Sequence, residues 1–470
     1  MKNHITPALA QDLRSQLDAS TKLVTPSSPD YGTAIMRWSD TAVRPAVWRR
    51  GIPSDWKFAS QHQLDLAVKG GGHSTGGTSS SEGGLVIDLA QMRQVTVNEE
   101  EKIITAQGGA LWGDVDKTAA QYGLATVSGT VSHTGIGGLT LGGGFGWLSG
   151  EHGPVIDNLV GAKVVIANGE ILNASETENQ DLFWAIRGAG HNFGVTVEFR
   201  YQAYEQPNPI YAGRLVFSPD KLSKLMNVLN ERHWSPNPKA GLHCIFAKPS
   251  SDATGPKINV VLFYNGDEQA ARKHFGGIFD LGPETTSLSS IPYPQVNELL
   301  NDMARPGGRR ALKGATFTPP IRIEFVQWLW EEFTRKLREE PDLDQDRTFF
   351  TIEFYDMTQI AKVTVEATAF PTRGFYQGGM LGITWSDPRK DDQFREWGRY
   401  LQSKCRDEIK KIVAQPQSGT ILEYANYSEP GDLNYHAPFG VNQKKLARLK
   451  AKFDPACLFH RTNPITPEFD

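Results

Sequence analysis

"VKGGGHSTGG", residues Val68 to Gly77, supports two incompatible readings. Centred on Ser74, Gly72-His73-Ser74-Thr75-Gly76 is a G-x-S-x-G elbow of the kind that presents a hydrolase nucleophile between a strand and a helix. Centred on His73, it is a run of glycines that clears backbone amides for a phosphate and leaves an imidazole beside them. The strand that a nucleophile elbow needs is present as Leu64–Val68. The residues after the elbow, GTSSSEGG and then GLVIDLA, read as turns and a second strand, not as the required helix. The serine hydrolase reading through Ser74 therefore stands as the weaker alternative.

A second glycine cluster, SGTVSHTGIGGLTLGGGFG from Ser128 to Gly146, lies about 60 residues on. Its glycines remove side chains over two turns, so backbone N–H groups can face a polyanion closely. Neither loop contains a G-x-x-x-x-G-K-[ST] phosphate loop, and the G-x-G-x-x-G spacing is absent from the strand-to-helix turns. One such loop alone reads as tight turns or barrel corners. Two together favour a pyrophosphate-bearing ligand.

The 470 residues would fill roughly three domains by length, or two in a large α/β enzyme. A formal charge of −4 gives no global basic field for nucleic acid or an anionic membrane. Three scattered cysteines, Cys244, Cys405 and Cys457, define neither a disulfide framework nor a metal-ligand spacing, and no metal is expected. The polar N-terminus lacks the apolar core of a signal peptide, which predicts a cytoplasmic protein unless a leader has been removed.

The pattern changes near residue 205. Before it, short strands recur between glycine turns: LDLAVKG, GGLVIDLA, KIITAQGG, AKVVIANGEILNA and GVTVEFRYQAY, with a helix over Trp112–Tyr122 burying Val115 and Ala119. After it, strands GRLVFS, LHCIFAK, INVVLFYNG, RTFFTIEFYDM and GGMLGITW alternate with helices over Ile323–Glu339 and Asp392–Val413, which predicts an antiparallel sheet backed by helices.

The two glycine loops, GPVIDNLVGAKVVIANGEI, DLFWAIRGAGHNFGVTVEF and the tail FGVNQKKLARLKAKFDPACLFHRTNPI together resemble the berberine-bridge-enzyme-like FAD-linked oxidases of the vanillyl-alcohol-oxidase superfamily. The likeness is strong over residues 60–205, good over the last 50 and weak between. It implies an α+β, two-domain, PCMH-type fold. Residues 1–205 and 426–470 would form a discontinuous FAD-binding domain, and 206–425 a substrate domain with a large antiparallel sheet.

By position, the resemblance implies that Gly70, Gly71, Gly72, His73, Ser74 and Gly77 belong to the first pyrophosphate loop, with the His73 imidazole bonded to the flavin 8α carbon. Gly129, Thr130, Ser132, Gly135, Gly138, Leu139, Gly143, Gly144 and Gly146 would contact FAD from the second loop. Asp157 and Asn158 would lie toward the adenosine side, Val195 would meet the flavin through its backbone, and Asn442 would sit where the tail returns to the cofactor. Many relatives carry a second flavin bond through a cysteine at the place of Val131, so a single covalent link is expected here. The segment RPAVWRRGIPSDWKFASQHQ is shorter than usual for the family, with barely two helical turns between Asp55 and Gln63.

An electron-poor substituent at the 8α carbon makes the ring a stronger oxidant, and the protein must supply a base and a fixed approach of substrate carbon to flavin. In FTIEFYDMT, alternation places Glu353 and Tyr355 on one face. Tyr427 falls in an N-Y element that the family places near the active site, and His133 sits inside the second glycine loop. These four are the candidates for the base. The glutamine-tyrosine pair that the family often carries after the arginine of ATAFPTR is expected to be missing or relocated. The sequence predicts an FAD oxidase that moves hydride from an alcohol, hydroxylated-ring or amine carbon of a small, secondary-metabolite-like molecule, with O2 reduced to H2O2. A dehydrogenase or carbohydrate oxidase of the same fold is the alternative within the family.

Overall fold

The computed structural model describes residues 3–17, 21–50, 56–232, 236–248, 255–412, 423–430, 432 and 438–469. Strands β1 (Lys22–Val24), β2 (Val47–Arg50), β3 (Leu66–Lys69) and β4 (Leu85–Asp88) form a four-stranded sheet in the order β1-β2-β4-β3, parallel at β2–β4 and β3–β4. Next come β5 (Val95–Asn98), β6 (Ile103–Gln107), β7 (Leu124–Ala125), β8 (Leu159–Val165), β9 (Ile171–Ser175), β10 (Val195–Gln202) and β11 (Tyr204–Glu205). Five of these make an antiparallel sheet, β5-β6-β10-β8-β9, and β7 pairs with β11. The helix Trp112–Ala120 buries Val115 and Ala119 as its spacing requires.

The largest sheet is fully antiparallel and joins β12 (Ile210–Phe217), β13 (Ala240–Ala247), β14 (Lys257–Tyr264), β15 (Thr285–Ile291), β16 (Arg309–Phe317), β17 (Phe349–Tyr355) and β18 (Gln377–Trp385) in the order β15-β12-β14-β13-β17-β18-β16. Alternation divides its two faces. Leu242, Cys244, Phe246, Phe350, Ile352, Leu381 and Ile383 pack beneath the helices Ile323–Glu339 and Asp391–Ile412. Ile245, Phe349 and Tyr355 face the other way, into the core shared with the glycine-rich half. The expected end of the second helix at Val413 lies outside the described residues.

Two strands escape a reading by pattern. β15, TTSLSSI, is a mostly exposed polar edge, so burial imposes no alternation on it. β16, RRALKGATF, puts Arg310 and Lys313 into the interior, where partners rather than hydrophobicity hold them. The short segment before the first glycine loop forms β2 and the helix Trp56–Gln61; Asp55 lies outside the described residues. Among the described residues no helix is long and apolar enough to cross a membrane.

The glycine loops meet backbone to backbone. A Cβ on Gly71 would lie 2.5 Å from the Gly135 nitrogen and 2.6 Å from its Cα, and one on Gly135 would collide with the Gly71 nitrogen in the same way. Contacts this short with main chain leave no flexible side chain to yield. A second fixed point is the bidentate ion pair of Arg373 with Asp157, at 2.6 and 2.7 Å, with Arg373 also donating to Thr368 Oγ1 at 3.0 Å.

Gly71→Ala and Gly135→Ala each lower the melting temperature by an amount corresponding to about 1–3 kcal/mol, the usual range for overpacking. Differential scanning calorimetry checks this. Asp157→Ala strands a guanidinium that is 3% exposed. It costs about 3–5 kcal/mol, read from the urea unfolding midpoint.

Candidate active site

The first glycine loop leaves β3 and turns without entering a helix before β4. Ser74 Oγ accepts hydrogen bonds from the Thr78 hydroxyl at 2.9 Å and the Thr78 N–H at 3.3 Å, and among the described residues no imidazole bonds to it. The hydrolase arrangement is therefore not built: the hydroxyl closes its own turn, and neither the base nor the following helix is in place. The second cluster differs from a pure loop because Ile136–Leu141 forms a short helix beginning at Gly135.

These loops line a cavity of about 340 Å³ that extends to the inner face of the large sheet. Gly70, Gly71, Gly72, His73, Ser74, Thr130, Gly135, Gly138, Leu139 and Val195 are on its wall, as are Glu353 and Tyr427. A Cβ at Gly138 would meet nothing within 4 Å, so that position opens directly to the space. Glu353 is the one acidic side chain on the wall among the described residues, and Arg461 supplies a cation.

His73 is stacked on Trp38 with ring centroids 5.1 Å apart and planes 10° apart, and its Nε2 lies 2.9 Å from His133 Nδ1. Burial, reinforced by His133 and Arg310, pulls the His73 pKa down to about 3. The imidazole is consequently neutral, the form in which its nitrogen lone pair is a nucleophile. His133 touches His73 rather than the wall itself, and among the described residues its buried Nε2 has no hydrogen-bond partner.

Glu353 is fully enclosed, and burial lifts its carboxyl pKa to about 7 despite a hydrogen bond received from Tyr427. The Tyr427 hydroxyl donates to Glu353 Oε1 at 2.9 Å. Burial, followed by the neighbouring Glu353, raises the Tyr427 pKa. A cation to make this tyrosine acidic is replaced by a carboxylate that does the reverse, so Glu353 is the proton acceptor of the pair. Tyr355 stands one layer back, its hydroxyl 2.7 Å from Nε2 of His243, a wall residue that nothing in the sequence singled out. Gln377, next to Tyr376 after the FPTR turn, is engaged with the Tyr355 backbone in both directions at 2.9 and 3.0 Å and contributes no base.

Nine other expected contacts lie off the cavity wall. Missing side chains at Gly129, Gly143, Gly144 and Gly146 make room respectively for Leu139 and Trp112, Phe370, Leu139 and Val155, and the Ser128 carbonyl. The Gly77 carbonyl accepts from Arg461, and Ser132 Oγ accepts from Asn301 at 2.8 Å. Asp157 is held by Arg373, while Asn158 donates to the carbonyls of His152 and Pro154. Asn442 donates to the carbonyls of Val365 and Thr368. The part of the tail that does reach the wall is Phe459–Asn463. It is put there by Lys450, whose ammonium is fully buried and bonds Asp454, the Asn192 carbonyl and the Phe459 carbonyl at 2.6 to 2.7 Å. The sequence signal was the lysine–aspartate pair four residues apart ahead of LFHRTN.

The segment carrying Tyr427 wraps an edge strand. Gly314 of β16 lies under it, with a Cβ there 3.0 Å from Tyr427 Cβ. Beyond, Glu429 and Asp432 grip Lys313 at 2.7 and 2.5 Å, all three side chains being buried. On the near side, the Tyr424 hydroxyl accepts from Gly144 N–H, and Asn426 donates to the Leu139 carbonyl. Tyr427 is thus pinned between the glycine-rich half and the large sheet.

The donor set fits a pyrophosphate-linked flavin: amide-rich turns, an arginine, Arg461, that Asp65 holds in an ion pair, and a neutral imidazole facing the same space. Residues 52–175 match the family described as FAD binding domain. The chain is 33% identical to FAD-linked oxidoreductase pgmH of Aspergillus terreus over 97% of its own length and 96% of that protein. Among solved structures it is similar to 6-hydroxy-D-nicotine oxidase from Arthrobacter nicotinovorans, with a TM-score of 0.81 and 23% identity over 96% of this chain and 99% of that one. A variant of berberine bridge enzyme in complex with (S)-reticuline superposes at a TM-score of 0.80 and 18% identity, covering 99% and 100%. The chain belongs to the FAD-linked oxidoreductases with the berberine-bridge-enzyme-like, PCMH-type fold, and it is an FAD-dependent oxidoreductase.

Proposed function

We propose that this enzyme is an oxidase that removes hydride from an alcohol, hydroxylated-ring or amine carbon of a small organic substrate. The hydrogen-bonded Tyr427–Glu353 pair carries this reading, because it sets a proton acceptor into the cavity lined by the glycine loops and His73. FAD, when bound, supplies the two-electron acceptor for the hydride and hands the electrons to O2, giving H2O2. In this reading residues 1–205 and 426–470 hold the cofactor and 206–425 the substrate.

The chain's own part is binding, orientation and proton transfer. Glycine-loop amides, with Arg461 beside them, would hold the pyrophosphate, and His73 would bond the flavin through its imidazole. Val131, on the cavity wall, has no atom that could form a second bond. As the substrate O–H or N–H proton reaches the Tyr427 oxygen, Tyr427 passes its own proton to Glu353 Oε1, so the negative charge never rests on tyrosine. Ile245, Leu300, Met303, Leu312, Phe349 and Met380 give the substrate side an apolar surface. Such a surface suits an aromatic or polycyclic metabolite better than a sugar, whose hydroxyls would go unmet. The names of similar structures point both ways, to 6-hydroxy-D-nicotine and (S)-reticuline and also to xylooligosaccharide and chitooligosaccharide, so the lining of this cavity carries the preference.

Acid precipitation of the wild-type protein gives a yellow pellet, whereas His73→Ala leaves all colour in the supernatant; a colourless wild-type pellet refutes the covalent link. With a substrate found by a peroxide-release screen, kcat/KM rises with pH through about 7 as Glu353 ionises. Glu353→Gln removes that limb and lowers kcat by roughly 10²–10⁴-fold, the span expected for loss of a positioned base. Stopped-flow flavin reduction across pH measures both.

A further inference from the structure

His243 and Glu353 are directly paired across β13 and β17, so their side chains leave the sheet together on the cavity side. The His243 residue is 2% exposed, and its ring packs on Trp147 with centroids 4.7 Å apart. Behind it, the Tyr355 hydroxyl lies 2.7 Å from Nε2. Burial and the nearby Glu353 raise the Tyr355 pKa, so the hydroxyl keeps its proton, and among the described residues Nε2 is the one acceptor that meets this buried O–H, which makes the tyrosine the donor. A neutral imidazole that accepts at Nε2 carries its proton on Nδ1. Burial holds the His243 pKa near 3, so the ring is neutral at any working pH. Among the described residues no hydrogen bond engages Nδ1.

An N–H on a cavity wall, carried by a residue that is 2% exposed, fixed in one tautomer by a second buried side chain and left without a hydrogen-bond partner among the described residues, is built for a guest. We propose that His243 Nδ1–H binds an acceptor oxygen of the substrate, on or next to the carbon that gives up hydride while Tyr427 and Glu353 take the substrate's O–H or N–H proton. This rests on the oxidase reading and narrows it to oxygen-bearing substrates: alcohols, hydroxylated rings, or amines with a neighbouring carbonyl, ether or hydroxyl oxygen. His243 is a binding residue in this assignment, and Tyr355 is a positioning residue that acts through it. If Tyr355 is removed, the two tautomers mix, and part of the population presents a lone pair where the donor belongs.

The test titrates the oxidised flavin spectrum of the holoenzyme with benzaldehyde, which offers an acceptor oxygen, and with toluene, which offers the same ring without it. Wild type binds benzaldehyde about tenfold or more tightly than toluene, the effect of one buried donor meeting its acceptor. His243→Leu brings the ratio to about one while leaving toluene affinity unchanged. His243→Asn, whose amide N–H falls near the Nδ1 position, recovers part of it, and Tyr355→Phe lies between. A packing role alone would shift both ligands equally, and an unaltered ratio in His243→Leu or a wild-type ratio near one overturns the proposal. Should His243→Leu lose its flavin, an unchanged ratio in Tyr355→Phe overturns it equally. Because the readout is equilibrium binding, failure of the oxidase reading shows separately, as absence of peroxide with every substrate screened.

Discussion

The contact between Gly71 and Gly135 governs much of the architecture. Two segments separated by more than sixty residues approach until neither tolerates a β-carbon, and this brings their amides into one surface. The first segment hangs from the parallel strands β3 and β4, while the second is carried on a short helix against the five-stranded sheet. Fixing the two loops to each other fixes the two sheets that bear them. The cavity between them and the large sheet is therefore a property of the whole molecule, not of one loop.

Charge is scarce inside that cavity, and its scarcity sets the chemistry. Among the described residues no cation pairs with Glu353, so burial moves its carboxyl toward neutrality and leaves it able to change state near physiological pH. The imidazoles respond in the opposite sense: His73 and His243 are both driven neutral by the same lack of water. One apolar environment thus produces a poised acid, a neutral nucleophile and a neutral donor without dedicated charged partners for each.

The sequence carried the cofactor-side framework because glycine spacing is a direct imprint of backbone contact. Gly70–Gly72, His73, Gly135 and Gly138, which the family resemblance singled out, line the cavity, and the helices with regular apolar spacing were legible directly. Residues such as Gly143, Gly144 and Gly146 look the same in the string but serve packing against Phe370, Val155 and the Ser128 carbonyl, a distinction only three-dimensional neighbours reveal. His243 left no trace: it is one histidine in an apolar strand, and its significance comes from its registration with Glu353 and from Tyr355 behind it. The pairing of Glu353 with Tyr427 spans 74 residues, and a tyrosine near a predicted cofactor gave no indication that its partner would be an acid. On the tail, Asn442 proved to be a fastener for residues 365–368, whereas Phe459–Asn463 reach the wall because a buried lysine folds them back.

The wrapping of the Tyr427 segment around β16 separates tolerance from constraint in a useful way. Its anchors lie at the Lys313 ammonium on the helix-covered face of the sheet and at the Gly144 N–H and Leu139 carbonyl on the cofactor side, so none of them is a side chain of the substrate-side apolar surface. Side chains at Ile245, Leu312, Phe349 and Met380 line the cavity without forming any of those anchoring hydrogen bonds or ion pairs. A redesign that reshapes the binding chamber for new molecules should concentrate on those four positions, and any exchange of β16 between homologues must carry its buckle, residues 424–432, with it.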